Sequence, residues 1–157
     1  MNPSDVPRPR VVRRHTAVPG KISVGDWAEV ELQPGLLDFL MQKDRQDLPP
    51  VGHRTHPMTG IPIGLAVDAA IVATSGAETG VDVLRHCEAT FESAIARDQA
   101  ALARGEVVEL GRRHVKANAT VTSLEDGRLL TRVSVVLVRT VGGTEPRAQE
   151  LEKYFAR

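Results

Sequence analysis

The chain has 157 residues, one domain's worth and enough to bury a single core. Lys plus Arg and Asp plus Glu each number 20, and aromatics are 3%; this argues against a nucleic-acid binder, which needs a basic balance or stacking platforms. The lone cysteine, Cys87, excludes an internal disulfide framework and, with no signal-peptide h-region near the N-terminus, makes a cytoplasmic location the expectation.

Residues 1–20 read as a flexible arm. They hold Pro3, Pro7, Pro9 and Pro19 together with Arg8, Arg10, Arg13 and Arg14, and prolines at that density suit neither a helix interior nor a sheet ladder. The residue 21–140 region reads as one domain. Its first element is a strand within Ile22–Leu32, where Trp27, Glu29 and Glu31 alternate with Ala28, Val30 and Leu32. Pro34-Gly35 breaks it, a short amphipathic helix follows over Leu36–Met41, and then comes a polar loop, Gln42–Met58. Seventeen irregular residues are long for a compact domain, which marks the loop as a candidate functional segment.

Gly60–Ala73 predicts the central helix. Thr59 can cap it, Pro62 fits its first turn, and it is apolar on every side except at Asp68, so a buried helix is expected, with Asp68 buried in it. It is too short to span a bilayer, which needs about 20 apolar residues. A carboxylate in such a run must be paired, protonated or functional. Alternation over Val81–Phe91 predicts a strand with Cys87 on its apolar face, where a free cysteine is most simply core, and His86 on the other. Residues 92–104 read as a loop leading into a strand near Ala100. Strands through Gly105–Leu110, Val115–Thr122 and Leu129–Val138 then form a meander, with Gly111-Arg112-Arg113 and Asp126-Gly127 at its turns. The polar residues 141–157 form a tail, with a short helix predicted over Pro146–Phe155. The class is α+β, a curved antiparallel sheet wrapped around one central helix.

Two stretches resemble a known family. Ala103-Arg-Gly-Glu-Val-Val-Glu-Leu-Gly-Arg-Arg113, Ala119-Thr-Val-Thr122 and Glu125-Asp-Gly-Arg-Leu129 are similar to the strands that rim the acyl-CoA site in hotdog-fold thioesterases of the phenylacetic acid degradation (PaaI) type. The central helix carries the other. That family shows Asn-x5-His-Gly-Gly with a catalytic acid seven residues further on. Here His53 stands at the Asn, Thr59-Gly60-Ile61 at the His-Gly-Gly, and Asp68 at the acid; Asp82 stands where a Ser or Thr often follows the helix. The chain is thus similar to a divergent member.

The resemblance implies a hotdog fold and hydrolysis of an acyl-CoA or acyl-carrier-protein thioester, without metal or other cofactor. It also implies a homodimer or dimer of dimers, because hotdog dimers set the Gly of one subunit beside the acid of the other. The Gly60 N–H would hold the oxyanion, and Asp68 would act as base or nucleophile, its pKa raised by apolar surroundings. Asp82, His53 and Thr59 are further candidates for the reacting end of the substrate. Ile61 is a candidate for substrate binding, and Arg112 and Arg113 for the coenzyme A phosphates. His53 and His56 have a spacing that could begin a metal site, but convincing further ligands are lacking. A non-catalytic binder of thioesters or other apolar ligands, and an acyl-thioester hydratase or dehydratase, are the alternatives.

Overall fold

A computed structural model describes residues 9–32, 60–74, 83–93 and 99–139. They form one helix and six strands: β1 (Arg10–His15), β2 (Trp27–Leu32), α1 (Gly60–Thr74), β3 (Val83–Phe91), β4 (Ala101–Leu110), β5 (His114–Ser123) and β6 (Leu129–Val138). All strand pairs are antiparallel, in the order β1-β2-β4-β5-β6-β3. The helices expected over Leu36–Met41 and Pro146–Phe155, and the Gln42–Met58 loop, lie outside the described residues.

The meander forms as its alternation dictates. Ala101, Ala103, Gly105 and Val107 lie opposite Ser123, Val121, Ala119 and Ala117 across β4 and β5. Val121, Ala119 and Ala117 in turn lie opposite Thr131, Val133 and Val135 of β6. Residues directly opposite share a face, and this is the buried one. Gly127, at φ 70°, supplies the left-handed residue of the β5–β6 turn.

α1 packs on that face, against β4, β2, β5 and β6. The contact is made by small residues. The buried side of α1 is Pro62, Leu65, Ala66, Ala69, Ala70 and Ala73, and Gly105 is the point of closest approach. A Cβ built on Gly105 would stand 2.5 Å from the Ala70 nitrogen and 2.6 Å from the Ala69 carbonyl carbon. Those are backbone atoms, so no side-chain rotation relieves the contact.

Two expectations are corrected. Residues 10–15, expected within the flexible arm, form the edge strand β1. The run between Pro9 and Pro19 is free of proline, and its arginines find acids across the strand pair. Arg13 Nε donates to Glu29 at 2.6 Å, and Arg10 lies 3.4 Å from Glu31. The first half of the strand expected over Ile22–Leu32 is instead a tight loop. Buried Asp26 accepts hydrogen bonds from the N–H groups of Ala17 and Ser23, each at 2.8 Å, and Gly25 adopts φ 91°. Pairing of β2 begins only at Trp27.

Gly105→Ala tests the helix–sheet approach. The added methyl has no room, so unfolding free energy should fall by about 1–3 kcal/mol, the usual cost of overpacking. Urea denaturation checks this; a variant as stable as the parent contradicts the close contact.

Candidate active site

α1 is not buried on every side. One face lies on the sheet, and on the other Gly64 and Asp68 are exposed while Ile63, Val67, Ile71 and Val72 are half-buried. Among the described residues the sheet is the one layer packed against α1, and the opposite face is apolar except for Asp68. The expectation of a buried Asp68 is therefore corrected: it projects from the open face. The apolar side chains around it still remove enough water from its carboxyl to raise its pKa above the ordinary aspartate value. It has no hydrogen-bond or ion-pair partner among the described residues.

The other half of the expected site is the start of the same helix. α1 begins at Gly60 and carries no acidic residue in its first turn. The N–H groups of that turn have no acceptor within the helix, and the helix dipole makes them weakly positive. Pro62 falls in this turn, where the missing N–H costs nothing. Eight residues at 1.5 Å each put Gly60 about 12 Å from Asp68 along the axis, so one chain does not bring the two onto a single carbonyl. His53, Thr59 and Asp82 lie outside the described residues, and Ile61 is placed as the second residue of α1.

β3 lies beyond β6 and is not among the strands that α1 packs on. Cys87 and Ala89 face the helix side yet are only half-buried, and Leu84 and Phe91 are exposed. Partial burial pushes the Cys87 thiol up, away from a reactive thiolate, and His86 is exposed on the opposite face. Cys87 thus fits the core reading better than a nucleophile. Beyond β3's pairing with β6, no strand is paired with it among the described residues.

Arg112 and Arg113 sit exposed at the bend between β4 and β5. The bend is closed by Gly111 N–H donating to the His114 carbonyl at 2.8 Å. A Cβ at Gly111 would meet the His114 ring at 2.7 Å, so a side chain there would oblige that ring to turn away. Arg139, just after β6, was not singled out from the sequence. Its N–H donates to the Arg113 carbonyl at 2.9 Å and its guanidinium to the Gly111 carbonyl at 3.2 Å. The Asp126-Gly127 hairpin signal could have revealed it, because the β5–β6 register that follows sets Val138 opposite His114. A polar groove of about 320 Å³ lies on the sheet face away from the helix, lined among others by Glu88, Asn118, Arg132 and Ser134. It shares no residue with the Asp68 surface.

No protein-family model and no curated protein matches the sequence. Solved structures do match in fold. The PaaI protein of the E. coli phenylacetic acid degradation operon is 14% identical with a TM-score of 0.61, over 85% of this chain and 80% of that one. A hypothetical thioesterase protein from Streptococcus pneumoniae TIGR4, solved with coenzyme A, is 14% identical with a TM-score of 0.60, over 87% and 89%. Zebra fish thioesterase superfamily member 2 is 14% identical with a TM-score of 0.58, over 83% and 80%. The chain therefore has the hotdog fold, and the likeness to thioesterases, PaaI included, is one of fold.

A raised folded-state pKa at Asp68 has a defined consequence for stability. The folded chain holds the proton more tightly than the unfolded one, so this residue's contribution declines as pH rises from 3.8 through the raised value. Asp68→Asn should therefore melt at a higher temperature than the parent at pH 7, with the gap closing in acid. A lower Tm for the variant at pH 7 would contradict this environment for Asp68.

Proposed function

We propose that the protein is an acyl-thioester hydrolase working on acyl-CoA or an acyl carrier protein, with each active site shared between two copies of the chain. The observation that carries this is Asp68: a carboxylate with a raised pKa and no partner among the described residues, exposed on an otherwise apolar helix face. In the proposed site, the Gly60 N–H of one copy donates a hydrogen bond to the thioester oxygen as negative charge develops on it, and Asp68 of the other activates water or attacks the carbonyl. A donor at a helix start does not reorganise as the charge forms, and glycine lets the acyl group come close. The raised pKa, which comes from desolvation by burial, makes Asp68 a stronger base than an ordinary aspartate.

A second copy is required because Gly60 and Asp68 of one helix are about two turns apart. The exposed face of α1 and the edge of β3 that no described strand pairs with offer it a surface; such edges pair readily with another chain. A two-fold dimer makes two equivalent sites. His53 and Thr59, which precede α1, and Asp82, which precedes β3, complete the proposed reacting end, with Ile61 beside the acyl group. Arg112 and Arg113 meet the carrier's phosphates. The reading needs no cofactor and places the protein in the cytoplasm. A second reading, non-catalytic thioester binding, draws on one departure: Thr59-Gly60-Ile61 stands where the family has His-Gly-Gly.

Release of free thiol from a panel of acyl-CoA thioesters separates the two. Hydrolysis is expected, with kcat/KM about 10²–10⁴-fold lower in Asp68→Asn, the usual worth of a general base. Tight binding without thiol release would support the binder, and equal turnover by the variant would remove Asp68 from the mechanism. The activity of the parent should also fall in acid, with a midpoint above that of an ordinary aspartate, because Asp68 works as the carboxylate.

Subunit sharing has its own test. Gly60→Pro removes the proposed donor at a position where proline is well tolerated in helices. Each variant alone should be nearly inactive. Mixed and refolded together, Asp68→Asn and Gly60→Pro chains should regain activity, since one site of each hybrid holds an intact Gly60 and an intact Asp68. No recovery in hybrids shown to have formed would place both groups in one chain's site.

A further inference from the structure

The β4–β5 turn concentrates positive charge in a chain whose formal net charge is zero. Arg112 and Arg113 are exposed there, and no carboxylate among the described residues pairs with either. The nearby acid, Glu109, is already engaged. Lys116 Nζ donates to it at 2.8 Å and the His114 ring lies 3.5 Å away; the Lys116 hydrogen bond holds its carboxyl below the usual range. Arg139 then joins from the end of β6, bound to both the Arg113 and the Gly111 carbonyls. Three arginines are thus gathered at one bend, and the two on the bend itself are held by the third, which ties the bend at Gly111 and at Arg113.

We propose that Arg139 is a positioning and specificity residue for phosphate-bearing substrates. It fixes the β4–β5 turn so that Arg112 and Arg113, with its own guanidinium, receive the phosphate groups at the nucleotide end of a coenzyme A thioester. This rests on the thioesterase reading above and deepens it, by selecting nucleotide-bearing thioesters over those that end at the pantetheine.

Three physical arguments support it. Guanidinium groups pair with phosphate through two parallel N–H donors, which a lone ammonium cannot match. The Gly111 carbonyl engages only part of Arg139's five-donor fork. A turn already tied down loses little further freedom when it binds. The distance also fits. Gly105 lies against Ala69 and Ala70, next to Asp68, and Gly111 is six residues further along the strand. At the rise of a β-strand that is about 20 Å, comparable with an extended pantetheine arm between a reacting carbonyl and the diphosphate.

The test compares an acyl-CoA with the matching acyl-pantetheine, which lacks the nucleotide, in the full-length protein and in Arg139→Gln, Arg139→Lys and Arg112→Ala. Calorimetry with adenosine 3′,5′-bisphosphate gives a readout independent of turnover. For acyl-CoA, KM should rise about 10-fold or more in Arg139→Gln, the worth of roughly one charge-assisted hydrogen bond, with kcat little changed. Acyl-pantetheine kinetics should not move, and the nucleotide should bind more weakly to the variant. Arg139→Lys, which keeps the charge but lacks the fork, should fall between parent and Gln. Arg112→Ala, on an exposed side chain, keeps the test open if the Arg139 variants lose their fold. Equal KM changes on both substrates, or a parent that does not prefer acyl-CoA, would overturn the proposal while leaving the hydrolase reading standing. Nucleotide binding that depends on Arg139, with no thioester turned over, would uphold the phosphate site and overturn the hydrolase. Neither turnover nor nucleotide binding would overturn both.

Discussion

The structure depends on how closely α1 approaches β4. Gly105 leaves room for no side-chain atom between itself and the backbone of Ala69 and Ala70. The facing surfaces follow suit, with Ala66 and Ala73 on the helix and Ala101, Ala103, Ala117 and Ala119 on the sheet, all buried. Such a seam gains from many short-range dispersion contacts rather than from large side chains. The bulkier buried groups, Leu32, Leu130 and Leu137, belong to other positions of the sheet. The seam also anchors Asp68, whose next two residues are the ones pressed against Gly105.

β1 is held by different means. α1 packs mainly on β4 and β2, so the edge strand gains little from the helix. On the sheet's other face, buried Glu29 takes Arg13 at 2.6 Å and Arg104 at 3.1 Å. The Arg104 guanidinium lies 3.9 Å from the Trp27 ring centre, and His15 stacks on Trp27 with ring centres 6.2 Å apart. A buried carboxylate is tolerated when paired on two sides, and here the pairing fastens three strands together. Arg13 alone reads as one more charge in a proline-rich arm. Its meaning comes from Glu29 and Arg104, which lie far from it in sequence and meet it only through strand register.

The meander was legible because its two faces differ: Val115, Ala117, Ala119 and Val121 are buried, and Lys116 and Asn118 between them are exposed. α1 gave no such contrast. Ile63, Val67 and Ile71 are as apolar as the residues on the sheet side, so the helix read as buried all round although one of its faces is open. Asp68 was legible as the lone charge in that run, but its exposure was not, since a sequence shows which residues are apolar and not how many layers cover them. Arg139 could not be read locally, because its partners Gly111 and Arg113 belong to a turn two strands earlier. His53, Thr59 and Asp82 stay as the sequence left them, outside the described residues.

Charge compensation separates the parts of the molecule that hold it together from those proposed to work. Around β1, β2 and Arg104, cations and carboxylates meet within 3.4 Å, and such pairs have little left to offer a ligand. Asp68 and the β4–β5 turn differ. The first is a carboxylate amid apolar side chains, the second a group of guanidinium ions that pair with no carboxylate among the described residues. In the proposed reading these two charges of opposite sign, neither compensated among the described residues and about 20 Å apart along the strand direction, match the two ends of one substrate. A carboxylate serves the carbonyl, where a base is needed, and guanidinium groups serve the phosphates. Exchanging the two would set a carboxylate against the phosphates and leave the thioester without a base, so the sign of each unpaired charge, as well as its position, favours a thioester carried on a nucleotide.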